Sequence, residues 1–424
     1  MTSPAVTISS TLAARFAEVR RTTEHICAPL SAEDQMLQPM ADASPAKWHQ
    51  AHTTWFFETF ILLPYAPGYQ AFDERFTFIF NSYYKQLGGH PIRANRGLMS
   101  RPSLDEVRAY RAHVDDAMQS LLAREVSPDI AALVELGLNH EQQHQELIVT
   151  DVKYALWSQP LRPAYREPRT GATRPVEHRP KNPPNLNFAE GIYEIGHAGD
   201  DFSFDNETPR HRLLLQEFSL VPRLVTNGEY LEFMRDGGYS NPSIWLSEGW
   251  DTVNAEGWRA PLYWEERDGQ WFSFTMNGMR EVNPGDPVCH VSYFEADAFA
   301  RWAGARLPLE SEWEIAAQEL VEQSGDIRGN FLDSDAFQPL PVSDQGGAQL
   351  FGDVWEWTAS QYTAYPGFQP AAGALGEYNG KFMCNQFVLR GGSCATPRSH
   401  IRASYRNFFP PHARWQFMGI RLAK

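Results

Sequence analysis

The feature that most constrains this chain is a change of texture across residues 162–185, RPAYREPRTGATRPVEHRPKNPPN. Each proline removes a backbone donor and fixes φ, and the run has neither a helical nor an alternating hydrophobic period. No long helix or paired strand is expected to pass through it. It reads as a basic linker laid across a surface. The 424 residues are too many for one ordinary core. Two domains are therefore expected, residues 1–161 and 186–424, joined by 162–185.

Before the linker the pattern is helical. Ser44-Pro45 predicts a helix start with Pro45 in the first turn. Ser103 and Glu106 form a capping box, and Ser127-Pro128 opens a further helix. With a helix near residues 8–30, this makes a four-helix bundle. After the linker, short segments such as YEIGH, RLLLQEFSLV and WFSFTM are separated by Gly, Asn, Asp and Pro. Helices are expected at NGEYLEFMRDG and SYFEADAFARWAGA. The fold class is α+β, with no internal repeat.

Composition excludes several function classes. A net charge of -15 argues against a nucleic-acid binder. No run of 18 apolar residues predicts a membrane span, and the N-terminal stretch shows no signal peptide. Cys27, Cys289, Cys384 and Cys394 lack metal-ribbon spacing and point to a reducing compartment, so a cytoplasmic location is expected. The oligomeric state is left open, a homo-oligomer included.

Chemistry enters at HEQQHQE, residues 140–146. On a helix, His140 and His144 lie on one face, one turn apart. A polar surface pair is the plain alternative. His140-Glu141-Gln142-Gln143-His144 also matches the zincin motif literally, without other protease context. A third ligand is sought in KWHQAHTTWFFETFILL, whose apolar stripe runs Trp48, Trp55, Phe56, Leu62, Leu63. His52 falls on that stripe and His49 beside it. Three neutral imidazoles leave one side of an ion open, for zinc to activate water or iron(II) to activate O2 and a thiolate. Spacing alone does not choose between these metals, or between a metal site and satisfied core histidines.

The stretches SPAKWHQAHTTWFFETF and HEQQHQE resemble the DinB-like metal-binding bundle. DNETPRHR, VTNGEYLEFM, RLPLESEWE, GDVWEWT and the C-terminal RGGSCATPRSHIRASYRNFFPPHARWQFMGIRLA resemble the formylglycine-generating-enzyme-like domain, a C-type-lectin-like fold. The two in this order resemble the ergothioneine-biosynthesis sulfoxide synthases. That resemblance implies a non-haem iron(II) enzyme joining a thiol sulfur to C2 of the imidazole of Nα-trimethylhistidine, with O2 as co-substrate. It implies His52, His140 and His144 as ligands, and Gln143 and Asn407 near the trimethylhistidine.

A hydroxyl near the open position would supply a proton; Tyr83 and Tyr84 are the first choice, Tyr362 and Tyr365 the second. Arg93 and Arg96 are candidates for substrate carboxylates. In the branch that uses γ-glutamylcysteine, an acidic residue and an arginine stand where this chain has Phe409 and Ala413, which points to free cysteine as donor. GDVWEWT and RGGS read as fold elements. Competing readings are a sulfoxide synthase acting on histidine, as in ovothiol biosynthesis, a zinc-dependent DinB-type thiol transferase, and a lectin-like binding module.

Overall fold

The computed structural model describes residues 4–82, 84–167, 184–342, 348–370, 373, 376 and 379–424. It forms two compact units, Met1–Tyr165 with Ala372–Tyr378, and Arg166–Ala371 with Asn379–Lys424. Of the expected linker, residues 168–183 lie outside the described residues. No described helix is long and apolar enough to cross a membrane.

The first unit is built on four helices: α1 Pro4–Cys27, α2 Ala46–Phe57, α3 Leu104–Leu122 and α4 Pro128–Ser158. Helix α1 packs along α4, and α2 packs between α3 and α4. Their shared core includes Phe16, Trp55, Phe56, Phe57, Val107, Tyr110 and Leu138. The start of α3 is the reciprocal cap read from sequence: Ser103 Oγ accepts from Glu106 N at 3.2 Å, and Glu106 Oε2 accepts from Ser103 N at 2.7 Å. Ser127 caps α4 with Pro128 behind it. Pro45 stands at the cap of α2 with extended ψ of 141°, one position before the expected first turn.

The stripe of α2 departs from expectation at its end. A π-helical turn, Glu58–Leu62, continues the helix. Such a turn holds an extra residue and shifts the phase of the residues after it. Leu62 is buried, but Leu63 is 46% exposed. Glu58 anchors the turn: it accepts the hydroxyls of Tyr69 and Tyr110, each at 2.6 Å, and the Phe72 N–H at 3.1 Å.

The second unit has short strands and many loops. Its largest sheet joins β8 Trp355–Gln361 and β9 Phe387–Arg390, flanked by β10 Asn407–Phe409 on β9 and β11 Met418–Gly419 on β8. The β11–β8 pairing is parallel, the others antiparallel. Among the described residues, β1 Leu186–Phe188 pairs with β4 Phe218–Leu220, β2 Gly191–Ile195 pairs with β3 His211–Leu215, and β5 Trp264–Arg267, β6 Gln270–Thr275 and β7 Gly278–Glu281 form a three-stranded sheet. The helices expected in NGEYLEFMRDG and SYFEADAFARWAGA occur as Asn227–Arg235 and Tyr293–Trp302. Two more, Ser247–Ala255 and Glu310–Ser324, are not evident from the sequence because their segments mix polar and aromatic residues without a clean stripe.

The motifs read as fold elements hold the sheet together. Glu356 of GDVWEWT receives Arg421 at 2.6 and 2.7 Å and the Trp313 indole at 2.7 Å. Arg390, the first residue of RGGS, binds Glu310 and Glu314. Gly391 turns the chain at φ 98°, where a Cβ would lie 2.6 Å from the Leu350 carbonyl oxygen. Gly391→Ala is expected to lower stability by about 2 kcal/mol or more, from an unfavourable φ and a backbone clash. Thermal unfolding measures this, and an unchanged melt would show that the Leu350 loop yields freely.

Candidate metal centre

Helix α2 carries His52 inward on its apolar face. Trp48 and Trp55 stand four residues before and three after it, hence on the same face. Their indoles sandwich the imidazole, with ring centroids 4.5 Å away at 15° and 5.5 Å away at 13°. His52 Nδ1 meets the Phe80 carbonyl oxygen at 2.6 Å. A carbonyl only accepts, so Nδ1 carries the proton and Nε2 is the free ligand atom.

His140 and His144 face this ring from α4. Their ring centroids are 4.6 Å apart and lie 5.0 and 4.9 Å from that of His52. One ligand nitrogen from each of the three falls within 4.8 Å of the others. His52 is buried and the other two are partly accessible. Among the described residues, His140 Nδ1 is buried without a hydrogen-bond partner, a costly state that an ion or ligand relieves.

Burial pushes His140 down to about 4. Burial first, then the neighbouring His140, holds His52 and His144 well below the usual histidine range. All three are therefore neutral donors near pH 7. Imidazole sets of this kind suit zinc, iron, copper or nickel.

Glu141, the acid of the zincin-like motif, is turned to other work. Arg20 Nη1 and Arg111 Nη2 donate to its two oxygens at 2.8 and 2.9 Å, and Thr23 Oγ1 donates at 2.7 Å. Burial opposes its ionisation, yet the two guanidiniums hold the carboxyl at about 2. It is a structural anion locked in the bundle.

Around the triad, the Arg96 guanidinium lies 3.5 Å over the Trp48 ring and donates to Ser44 Oγ at 2.9 Å and Ser82 Oγ at 2.8 Å. Arg93 donates to the Asp42 carbonyl. Tyr84 is buried, its ring 5.5 Å from Trp55 and 5.2 Å from Phe60, one indole removed from His52. Tyr83 lies outside the described residues. Gln143 is partly buried on α4 between the two histidines.

In the second unit, Asn407 opens β10 and its Oδ1 accepts the Phe408 N–H at 2.9 Å. Phe409 packs edge-on against Trp415. Tyr362 stacks on Phe408 and accepts from Asn206 Nδ2 at 2.9 Å; Tyr365 accepts from Arg390 at 3.0 Å. Both side chains are buried.

Two residues of the centre were missed as such. His49 Nδ1 lies 2.7 Å from His144 Nδ1, and its Nε2 lies 3.1 Å from Asp151 Oδ2. Asp151 stands seven residues after His144, two helical turns along the same face, and that spacing was the available signal.

Residues 15–148 match the DinB superfamily, and residues 171–342 and 329–424 match the sulfatase-modifying factor enzyme 1-like domain. The chain is 33% identical over 353 residues to the hercynine oxygenase of Mycobacterium tuberculosis, covering 78% of this chain and 80% of that protein. The chain belongs to the hercynine oxygenase family. The family's enzyme from Mycolicibacterium smegmatis is likewise 33% identical over 357 residues, covering 78% and 80%. Ergothioneine biosynthesis protein 1 of Schizosaccharomyces pombe is 29% identical over 231 residues, 53% of this chain and 28% of that protein.

The lock on Glu141 separates this centre from a zincin. Glu141→Gln is expected to destabilise the bundle by about 3 kcal/mol, because Arg111 loses its paired carboxylate and Arg20 keeps only Asp115. Chemical unfolding checks it. A variant of unchanged stability with its catalysis abolished would make Glu141 a general base instead.

Proposed function

We propose that this oxygenase is an iron(II)- and O2-dependent sulfoxide synthase. It joins the sulfur of cysteine to C2 of the imidazole of Nα-trimethylhistidine. The observation that carries the reading is the convergence of three neutral imidazoles, two of them partly accessible, in a member of the hercynine oxygenase family. His52, His140 and His144 would hold the ion, and three neutral donors leave its charge undiminished. Iron(II) held there supplies the redox chemistry that activates O2 and a Lewis acid for the thiolate.

The protein's own groups divide the remaining work. Trp48 and Trp55 fix the plane of the His52 ring and exclude water from its faces. Tyr84, with Tyr83, is assigned the proton delivered during sulfoxide formation. The contact of Tyr84 with Trp55, itself stacked on His52, supports that role. Arg96 and Arg93 are assigned to substrate carboxylates, and Gln143 and Asn407 to the trimethylhistidine. Phe409 is assigned to the thiol pocket. Two observations favour the smaller donor: Phe409 presents an apolar ring against Trp415, and Ala413 is buried and brings no charge.

Anaerobic iron(II) reconstitution followed by O2, trimethylhistidine and thiol tests the reaction by product mass and O2 uptake. The sulfoxide of the joined substrates is expected, and His52→Ala, His140→Ala or His144→Ala should each abolish turnover and reduce bound iron. Absence of O2 uptake would favour zinc chemistry, and turnover of histidine in preference to trimethylhistidine would favour the ovothiol-type reaction.

The donor is tested by kcat/KM for the two thiols. Burying the extra ammonium and carboxylate of γ-glutamylcysteine without partners costs several kcal/mol, so a preference of about a hundredfold for cysteine is expected. A ratio near one, or reversed, overturns the assignment of Phe409.

A further inference from the structure

We propose that His49 and Asp151 are positioning residues that fix the tautomer of His144 and so aim its Nε2 at the metal. The inference rests on the triad being a metal site, and not on which metal or reaction it serves. Two ring nitrogens 2.7 Å apart share one proton, and either His49 or His144 must donate it. If His49 donated, His144 would carry its own proton on Nε2 and have no lone pair to offer there.

The neighbours of His49 decide the matter. Asp151 Oδ2 lies 3.1 Å from His49 Nε2 and also accepts the Ser44 N–H at 2.8 Å. A carboxylate has no proton to give, so Nε2 of His49 is the protonated nitrogen. A neutral imidazole has a single N–H, and Asp151 takes it here. His49 Nδ1 is then an acceptor, His144 Nδ1 the donor, and His144 Nε2 bare.

The arrangement parallels that at His52, where the Phe80 carbonyl plays the acceptor's part directly. The same requirement is met twice, once by a backbone oxygen and once by a side-chain relay. Residues that orient a ligand histidine in this way are typically worth about ten- to a hundredfold in metal affinity.

The Ser44 N–H makes the relay's chemistry separable from its charge. In Asp151→Asn the amide oxygen is the atom favoured beside Ser44, and it still accepts from His49. Asp151→Ala removes the acceptor. At the next link, His49→Gln retains an oxygen able to accept from His144, and His49→Phe does not.

The experiment uses the full chain with nitrogen-15-labelled histidine and no metal, reading the His144 tautomer by two-bond proton–nitrogen correlation. The same samples are then titrated with cobalt(II), and with iron(II) under anaerobic conditions. The wild type is expected to hold the His144 proton on Nδ1. His49→Phe and Asp151→Ala should mix the tautomers and raise the metal Kd about ten- to a hundredfold. His49→Gln and Asp151→Asn should keep both close to wild type. The His52 tautomer, held by Phe80, should not move in any variant.

A general packing defect would lower the melting temperature without selecting the His144 tautomer. A wild-type His144 protonated on Nε2 overturns the proposal, even if the Phe variant does not fold. So do variants that leave both tautomer and Kd unchanged. A wild type that binds neither metal but shows the expected tautomers would instead refute the metal reading and leave the relay standing.

Discussion

Burying three imidazoles against one another is the constraint on which the first unit depends. Each ring brings polar nitrogens into a core of Trp48, Trp55 and Phe56, where an unsatisfied nitrogen is costly. His52 finds the Phe80 carbonyl and His144 finds His49. His140 Nδ1 finds no partner among the described residues. The burial that makes the site expensive also keeps its rings neutral, the state in which a histidine is a ligand. Stability and metal competence therefore have one physical origin here.

An adjoining face of α4 does the contrary task. There Glu141 is charged, saturated with donors, and joined to Arg20 and Arg111. Arg20 also pairs with Asp115 at 2.7 Å. A buried pair of this kind adds little net stability relative to an apolar replacement, but breaking it strands a charge. One helix thus presents neutral donors to one neighbour and a fixed anion to others. Glu141 is thereby kept from the triad, and Asp151 of the same helix reaches His144 through His49.

The second unit manages its own burial problem differently. With short strands and long connections, it has few regular backbone ladders to organise it. Arginine–carboxylate pairs span the connections: Arg421 with Glu356, Arg406 and Arg390 with Glu310, Arg402 with Glu207, Arg414 with Glu295. Planar guanidiniums meeting carboxylates through paired hydrogen bonds specify direction as well as proximity. That gives loop-rich backbone a defined path, and β10 with Asn407 and Phe409 is one of the segments so placed.

Local signals in the sequence determined a good deal. Ser103 with Glu106 and Ser127 with Pro128 marked helix starts, because capping chemistry acts within four residues. The spacing of His140 and His144 put them on one face, and His52 shared the stripe of Trp48 and Trp55, because a helix repeats every 3.6 residues. What the sequence by itself did not determine was which partner each group would find. The π-turn at Glu58 moved Leu63 out of the stripe through contacts with Tyr69 and Tyr110. Glu141 met Arg20 from 121 residues away, and His49 met Asp151 from 102. Phe80 contributes a backbone oxygen, which carries no side-chain signature at all. Periodicity assigns a residue to a face, but only the packing of helices against one another brings that face to a particular donor or acceptor, and those contacts select tautomer, charge and role.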